Sequence, residues 1–241
     1  MKVTYQDALA YYGISGAHPG GLSLTKKLLQ NEKITKNTKI LDAGCGTGQT
    51  AAYIAKTYSC SVTALDHHPL MIRKAKERFK KEGVPVHLVQ GSIEQLPFQN
   101  HTFDIILVES VTAFTNIPRS LKEFYRVLKP GGCLVDSEMT AEVIFNQKDK
   151  ETIMSVYGIS NILTEQQWLQ ALRDAGFKAP NVLDGSTVFE EMMKNSPQSD
   201  APNMMEPVPP HPQYEEVMFE HGSIIALYGQ KLGYRVIRSV K

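Results

Sequence analysis

Between residues 38 and 137 the chain switches repeatedly between two hydrophobic periods. Short aliphatic runs stand at Lys39-Ile40-Leu41-Asp42, Ser61 to Asp66, Val86 to Val89, Asp104 to Val108 and Cys133 to Asp136. Between several of them lie stretches with apolar residues at helical spacing: Thr47 to about Tyr58, Pro69 to Gly83, and Pro118 to Leu128. Strands that alternate with helices need crossover connections, which lay the strands parallel and pack helices on both faces. The run Ile105-Ile106-Leu107-Val108 is apolar at every position, as strands buried on both faces are. The alternation predicts a doubly wound α/β fold.

The flanks are less regular. Thr4 to Tyr12 and Leu22 to Asn31 read as helices. They are joined by Gly13-Ile14-Ser15-Gly16-Ala17-His18-Pro19-Gly20-Gly21, a glycine-rich loop able to turn or to approach a ligand closely. Downstream, Thr164 to Ala175 reads as a helix with Thr164 as N-cap and Gly176 as its stop. A last helix, roughly Tyr214 to Leu232, leads into a strand at Tyr234 to Ile237. Residues 191–213, with prolines and methionines among polar residues, are expected to be an irregular insertion.

The strongest local signal is Asp42-Ala43-Gly44-Cys45-Gly46-Thr47-Gly48, which ends a strand and opens a helix, where open α/β sheets bind ligands. Its G-x-G-x-G spacing differs from the dinucleotide fingerprint, and no Lys-Ser/Thr pair follows to cradle a triphosphate. A carboxylate beside a helix N-terminus repels a pyrophosphate and suits a cation. Asp66 ends the second strand, where a carboxylate can accept both hydroxyls of a ribose. An adenosine bearing a positive aminoacyl sulfonium satisfies both acids. Asp66 also stands where it could cap the helix that begins near Pro69, and the two roles can coexist.

The stretch Ile40 to Gly48, Leu65-Asp66, Gly91 to Phe98, Phe103 to Ile106 and Tyr125 to Gly132 resembles class I S-adenosylmethionine-dependent methyltransferases. Within them it is most similar to the small-molecule branch that includes the ubiquinone and menaquinone C-methyltransferases. The resemblance implies a Rossmann-like, mostly parallel seven-stranded sheet, with N-terminal helices and a C-terminal insertion capping the acceptor side. It divides a single methyltransferase domain, 1–241, into an N-terminal helical lid segment (1–37), a cofactor-binding core (38–137) and an acceptor-side segment (138–241). By position, Asp42, Gly44, Cys45, Gly46 and Gly48 would line the methionine moiety, with Asp42 near its ammonium. Asp66 would bind the ribose, His67 would flank the adenine, and Ser92 and Ile93 would lie on its other side. Glu109 and Ser110 would pass beneath the sulfonium. Relatives usually carry Asp where Ser92 stands, and the quinone-type enzymes often carry a histidine pair where Ala113-Phe114 stand, so their acceptor chemistry does not transfer.

Methyl transfer from a sulfonium is an in-line displacement, so positioning supplies much of the acceleration and a base is needed only when the acceptor must lose a proton. His18 and Glu109 are the candidates for that base, with Glu138 behind them. Cys45 reads as a small turn residue. The basic series Arg73, Lys74, Lys76, Arg78, Lys80 and Lys81 shares a helix with the apolar stripe Met71, Ala75 and Phe79 and is expected to be its solvated face. A formal charge of +1 argues against a mainly electrostatic hold on nucleic acid or anionic lipid. The expected partner is a small-molecule methyl acceptor, with S-adenosyl-L-homocysteine as coproduct, and with no metal, nucleic acid or membrane. Three scattered cysteines without a C-x-x-C, and a start without an apolar leader, point to a reducing cytoplasmic setting. The alternatives are an RNA or protein methyltransferase, or a cofactor-binding homologue without catalysis. The absence of a [D/N]-P-P-aromatic block at Glu109-Ser110-Val111-Thr112 disfavours N-methylation of bases.

Overall fold

A computed structural model describes residues 3–194 and 208–241. Its sheet has seven strands in the order β3-β2-β1-β4-β5-β7-β6. They are β1 (Lys39–Ala43), β2 (Ser61–Asp66), β3 (Val86–Gln90), β4 (Phe103–Glu109), β5 (Leu128–Ala141), β6 (Lys178–Thr187) and β7 (Leu232–Val240). β1 to β5 pair in parallel, while β7 runs antiparallel to both β5 and β6. Chain order reverses between β1 and β4, so the crevice of this sheet opens at their carboxyl ends.

Strand side chains alternate between faces, and each face has its own core. Ile40, Val62, Ile105, Leu107 and Val135 meet Leu28, Leu29, Ile54 and Phe79 from α2 (Gly21–Leu29), α3 (Gln49–Tyr58) and α4 (Pro69–Glu82). Leu41, Leu65, Ile106 and Leu134 face Leu121, Phe124, Trp168 and Leu172 from α5 (Ile117–Val127) and α7 (Glu165–Asp174). Local chemistry ends the helices where the sequence places the stops: Gly83 caps α4 at φ +63°, and Thr164 and Gln167 close a capping box at the start of α7.

The remaining helices, α1 (Tyr5–Tyr12), α6 (Gln147–Tyr157), α8 (Val188–Lys194) and α9 (Pro212–Tyr228), belong to the flanks. α1 lies against α9, α6 and α4. Ile153, Tyr157, Ile159, Ile162 and Ile224 form a third apolar cluster, with Tyr5 and Phe114 packed on it. Three elements have no counterpart in the sequence reading, α6, α8 and β6. β6 holds Pro180, Asn181, Asp184 and Gly185 and is the outermost strand, with register shifts at Lys178/Asn181 and Val182/Asp184. Edge position and bulges are what let a strand carry such residues. The irregular insertion expected at 191–213 begins inside α8 and ends inside α9, and its middle, 195–207, lies outside the described residues.

Candidate active site

The turn after β1 is a left-handed zigzag, with φ of +85° at Gly44, +53° at Gly46 and +77° at Gly48. A Cβ at Gly44 would stand 2.3 Å from Val111 Cγ2, and one at Gly48 would stand 2.6 Å from the Phe79 ring. Only glycine meets both demands at these two positions. The amides of Gly44 and Cys45 donate to the Leu65 carbonyl (2.7 and 2.9 Å), which ties the turn to the end of β2.

Asp66 holds two pieces of backbone at once. Its Oδ2 accepts from the Gly46 amide (2.9 Å) and its Oδ1 from the His68 amide (2.8 Å). It is not the N-cap of α4: that position is His68, whose Nδ1 accepts from Leu70 N–H. A carboxylate has about four acceptor sites, so the bonds in place leave capacity for hydroxyl donors.

Asp42 is 2 % exposed, and its Oδ2 has no hydrogen-bond partner. Burial pushes its pKa well up, and the charges of Glu109 and Asp66 push it further, against a hydrogen bond from the Ala51 backbone. Cys45 beside it is raised by the same burial and by the charges of Asp42 and Asp66, which keeps it a thiol and supports its reading as a turn residue. Glu109, at the end of β4, accepts from the hydroxyls of Thr25 on α2 and Thr50 on α3, the latter at 2.8 Å. The loop of residues 13–21 brings His18 to it, Nε2 to Oε2 at 3.5 Å, with the ring almost wholly buried. Neither ring nitrogen makes a hydrogen bond.

The other expected residues complete the same edge. His67 is largely exposed, with Nδ1 3.9 Å from Asp66 Oδ1. The amide of Gly91, just past β3, donates to the Asp66 carbonyl (2.9 Å), and Ser92 and the buried Ile93 follow. Ser92 Oγ accepts from the Glu94 amide at 3.1 Å. Ser110 sits at φ +58°, its amide bonded to the Ser137 carbonyl (2.8 Å). Every residue expected at the cofactor therefore lies at the carboxyl end of β1, β2, β3 or β4, four neighbouring strands. Glu138 has a different place: it is buried behind the segment after β4 and accepts from the amides of Val111, Thr112 and Ala113 at 2.9, 2.7 and 3.1 Å. It shapes that segment.

The sequence reading misses several contributors. Thr25 and Thr50 carry no local signal, and Glu138, weighed from the sequence as a base, is instead an acceptor for backbone amides. Arg78 corrects an expectation outright: it is 7 % exposed, not part of a solvated face, and bonds Thr47 O and Ser15 Oγ. A signal existed, because 71, 75 and 78 fall at i, i+4 and i+7 on the buried stripe. Among the described residues no cluster of three or more His, Cys, Asp or Glu could hold a metal ion, and no helix is long and apolar enough to cross a membrane.

A doubly wound sheet with a glycine turn and acidic strand ends defines a class I S-adenosylmethionine-dependent methyltransferase. The chain belongs to the methyltransferase family: the model of the methyltransferase domain matches residues 40–132. It is also 34% identical over 98% of its length to the uncharacterized methyltransferase YodH of Bacillus subtilis (strain 168), covering 99% of that protein. A shorter match, 35% identical over 45% of the chain and 42% of the relative, is to the demethylmenaquinone methyltransferase of Chlorobaculum tepidum. Among solved structures, phosphoethanolamine N-methyltransferase 2 of Haemonchus contortus with S-adenosyl-L-methionine has the same fold. Its TM-score is 0.76 at 18% identity, over 99% of this chain and 57% of that one. The cofactor is S-adenosylmethionine, and the residues present suit it: a buried carboxylate oxygen without a partner, in a crevice whose acids repel one another, accommodates a cation.

Proposed function

We propose that this protein methylates a small molecule, with the cofactor lying along the carboxyl ends of β3, β2, β1 and β4. One observation carries the siting. Asp42, Asp66 and Glu109 end three neighbouring strands: burial first, and then the charges of Glu109 and Asp66, raise the pKa of Asp42, and Asp42 Oδ2 lacks a partner. When bound, S-adenosylmethionine supplies an electrophilic methyl on a positively charged sulfur, whose transfer leaves neutral S-adenosylhomocysteine. Asp42 then answers the ammonium, Asp66 the ribose hydroxyls, and Ser92, Ile93 and His67 the adenine. Glu109 and Ser110 line the floor where the methyl is presented, and Gly44, Cys45, Gly46 and Gly48 let backbone replace side chains along the methionine.

The small-molecule reading rests on the cap. Tyr5 of α1 stacks near Phe114, meets Tyr157 of α6 edge-on at 5.1 Å and packs on His221 of α9 at 4.9 Å between centroids. Flanks packed on each other through this aromatic cluster favour a compact, partly apolar acceptor over an RNA or a protein tail. The core 38–137 and the flanks 1–37 and 138–241 act as one methyltransferase unit. Where the acceptor has a proton to lose, His18 and Glu109 are the groups placed to take it. Three buried cysteines with no disulfide fit a reducing cytoplasm.

Two measurements test this. Asp66→Ala should weaken S-adenosylhomocysteine binding roughly 30-fold or more by calorimetry, about 2 kcal/mol, with the fold retained. Unchanged affinity would remove the ribose assignment. Methyl-labelled cofactor incubated with size-fractionated cell extract should label the low-molecular-mass fraction. Label in RNA or protein, or none anywhere, would overturn the acceptor reading.

A further inference from the structure

Arg78 is a buried guanidinium on a helix whose other basic residues sequence reading assigns to solvent. Such a group stays charged, so its donors must be met inside the protein. They are met on both sides of the cofactor turn. Nε donates to the Thr47 carbonyl (2.9 Å), Nη2 to Ser15 Oγ (2.9 Å), and Nη1 pairs with Glu82 Oε1 (3.2 Å). Ser15 Oγ is in turn 2.6 Å from Thr47 Oγ1. Ser15 and Thr47 are 4 % and 2 % exposed, so their end of the network is closed to water.

The peptide between Thr47 and Gly48 is thereby pinned at both ends. Its carbonyl is held by Arg78, and its N–H donates to the Cys45 carbonyl at 2.8 Å. A peptide plane held by both of its polar groups resists rotation, and this plane leads into Gly48, the N-cap of α3. Behind it, the Phe79 ring fills the space at Gly48.

The same helix grips the N-terminal segment at regular intervals. His68 Nε2 lies 3.2 Å from Asp7 Oδ1, Lys74 Nζ donates to the Tyr11 carbonyl at 3.0 Å, and Arg78 reaches Ser15. Positions 7, 11 and 15 recur every four residues and meet 68, 74 and 78. Of these three contacts only Arg78 also touches the cofactor turn.

We propose that Arg78 is a positioning residue for the cofactor: it sets the Thr47–Gly48 peptide and, through Ser15, couples that geometry to docking of the N-terminal segment. Coupling is reciprocal, so cofactor binding tightens the segment as much as the docked segment tightens binding. The inference rests on the assignment of the glycine turn to the cofactor.

The test is a double-mutant cycle read in the Kd for S-adenosylhomocysteine, with Ser15→Ala, Arg78→Gln and the pair, alongside hydrogen exchange at residues 13–18. Each single variant should bind about 10-fold more weakly. The double variant should be within about threefold of Arg78→Gln, because both substitutions break one connection. Ligand should slow exchange at 13–18 in the wild type and not in Ser15→Ala. A loss under threefold in either single variant, losses that multiply in the double, or absence of ligand protection in the wild type overturns the proposal. Loss of stability alone would not produce that coupling between two sites in a binding constant. Ser15→Ala removes a single hydroxyl and keeps the test decisive if Arg78→Gln fails to fold. Asp66→Ala titrated in the same series separates the two claims. If it binds normally, the cofactor siting is wrong, whereas if it alone is weakened, only the Arg78 coupling fails.

Discussion

At the scale of single residues, the acids of this protein divide by whether a partner waits in the fold or outside it. Asp66 and Glu109 accept hydrogen bonds from the protein itself, whereas Asp42 keeps one oxygen without a partner. Asp136 is different again. Burial first, then the neighbouring charge of Glu138, holds its pKa well above the ordinary range, and Thr112 Oγ1 offsets this only weakly at 3.3 Å. The folded protein therefore keeps the Asp136 proton to a higher pH than the unfolded chain does. Its contribution is fully present below the unfolded value and is lost as pH rises through the folded value. Asp136→Asn imitates the protonated form at every pH. Its stability relative to the wild type should rise between pH 5 and pH 8.5 in denaturant unfolding, and a constant difference would contradict the shift.

At the scale of elements, the segment after β4 shows how one buried side chain replaces a stretch of secondary structure. The amides of Val111, Thr112 and Ala113 lead into the 3-10 turn Thr112–Phe114 and find their acceptor in Glu138 on β5. Burial raises the pKa of Glu138, and those three amides resist the rise. Glu138→Gln keeps the shape but offers one carbonyl oxygen where a carboxylate offered two. It should cost about 2–3 kcal/mol by denaturant unfolding, since a buried amide is left unmet. It should also weaken cofactor binding, because Val111 packs on Gly44 of the glycine turn; a fully stable variant would show these three bonds to be dispensable. α4 is the complementary case: its sequence is amphipathic, yet its polar face is half interface, with His68, Lys74 and Arg78 turned to the N-terminal segment.

For the whole molecule, two segments distant in sequence pack on each other beside a parallel core. The packing runs through Tyr5, Tyr157 and His221, with the Tyr157 hydroxyl 2.9 Å from His221 Nδ1. Tyr5→Ala should loosen α1 and α9 together at a cost of about 2–3 kcal/mol, below the range for fully buried aromatics because Tyr5 is only half buried. Limited proteolysis should then cut near the N-terminal loop while the sheet survives; unchanged proteolysis would mean that the flanks dock independently. The five core strands, the glycine turn and the strand-end acids were legible beforehand, because hydrophobic period and positive φ are local demands that residues i, i+2 and i+4 express directly. β6 was not, since an edge strand with Pro180 and Gly185 lacks that period. The amino-acid order by itself determined a doubly wound sheet with an acidic, glycine-lined crevice. Only tertiary structure decided that Thr25 meets Glu109 across 84 residues and Ser15 meets Arg78 across 63, because buried polar groups choose partners by proximity in space, which no spacing along the chain records.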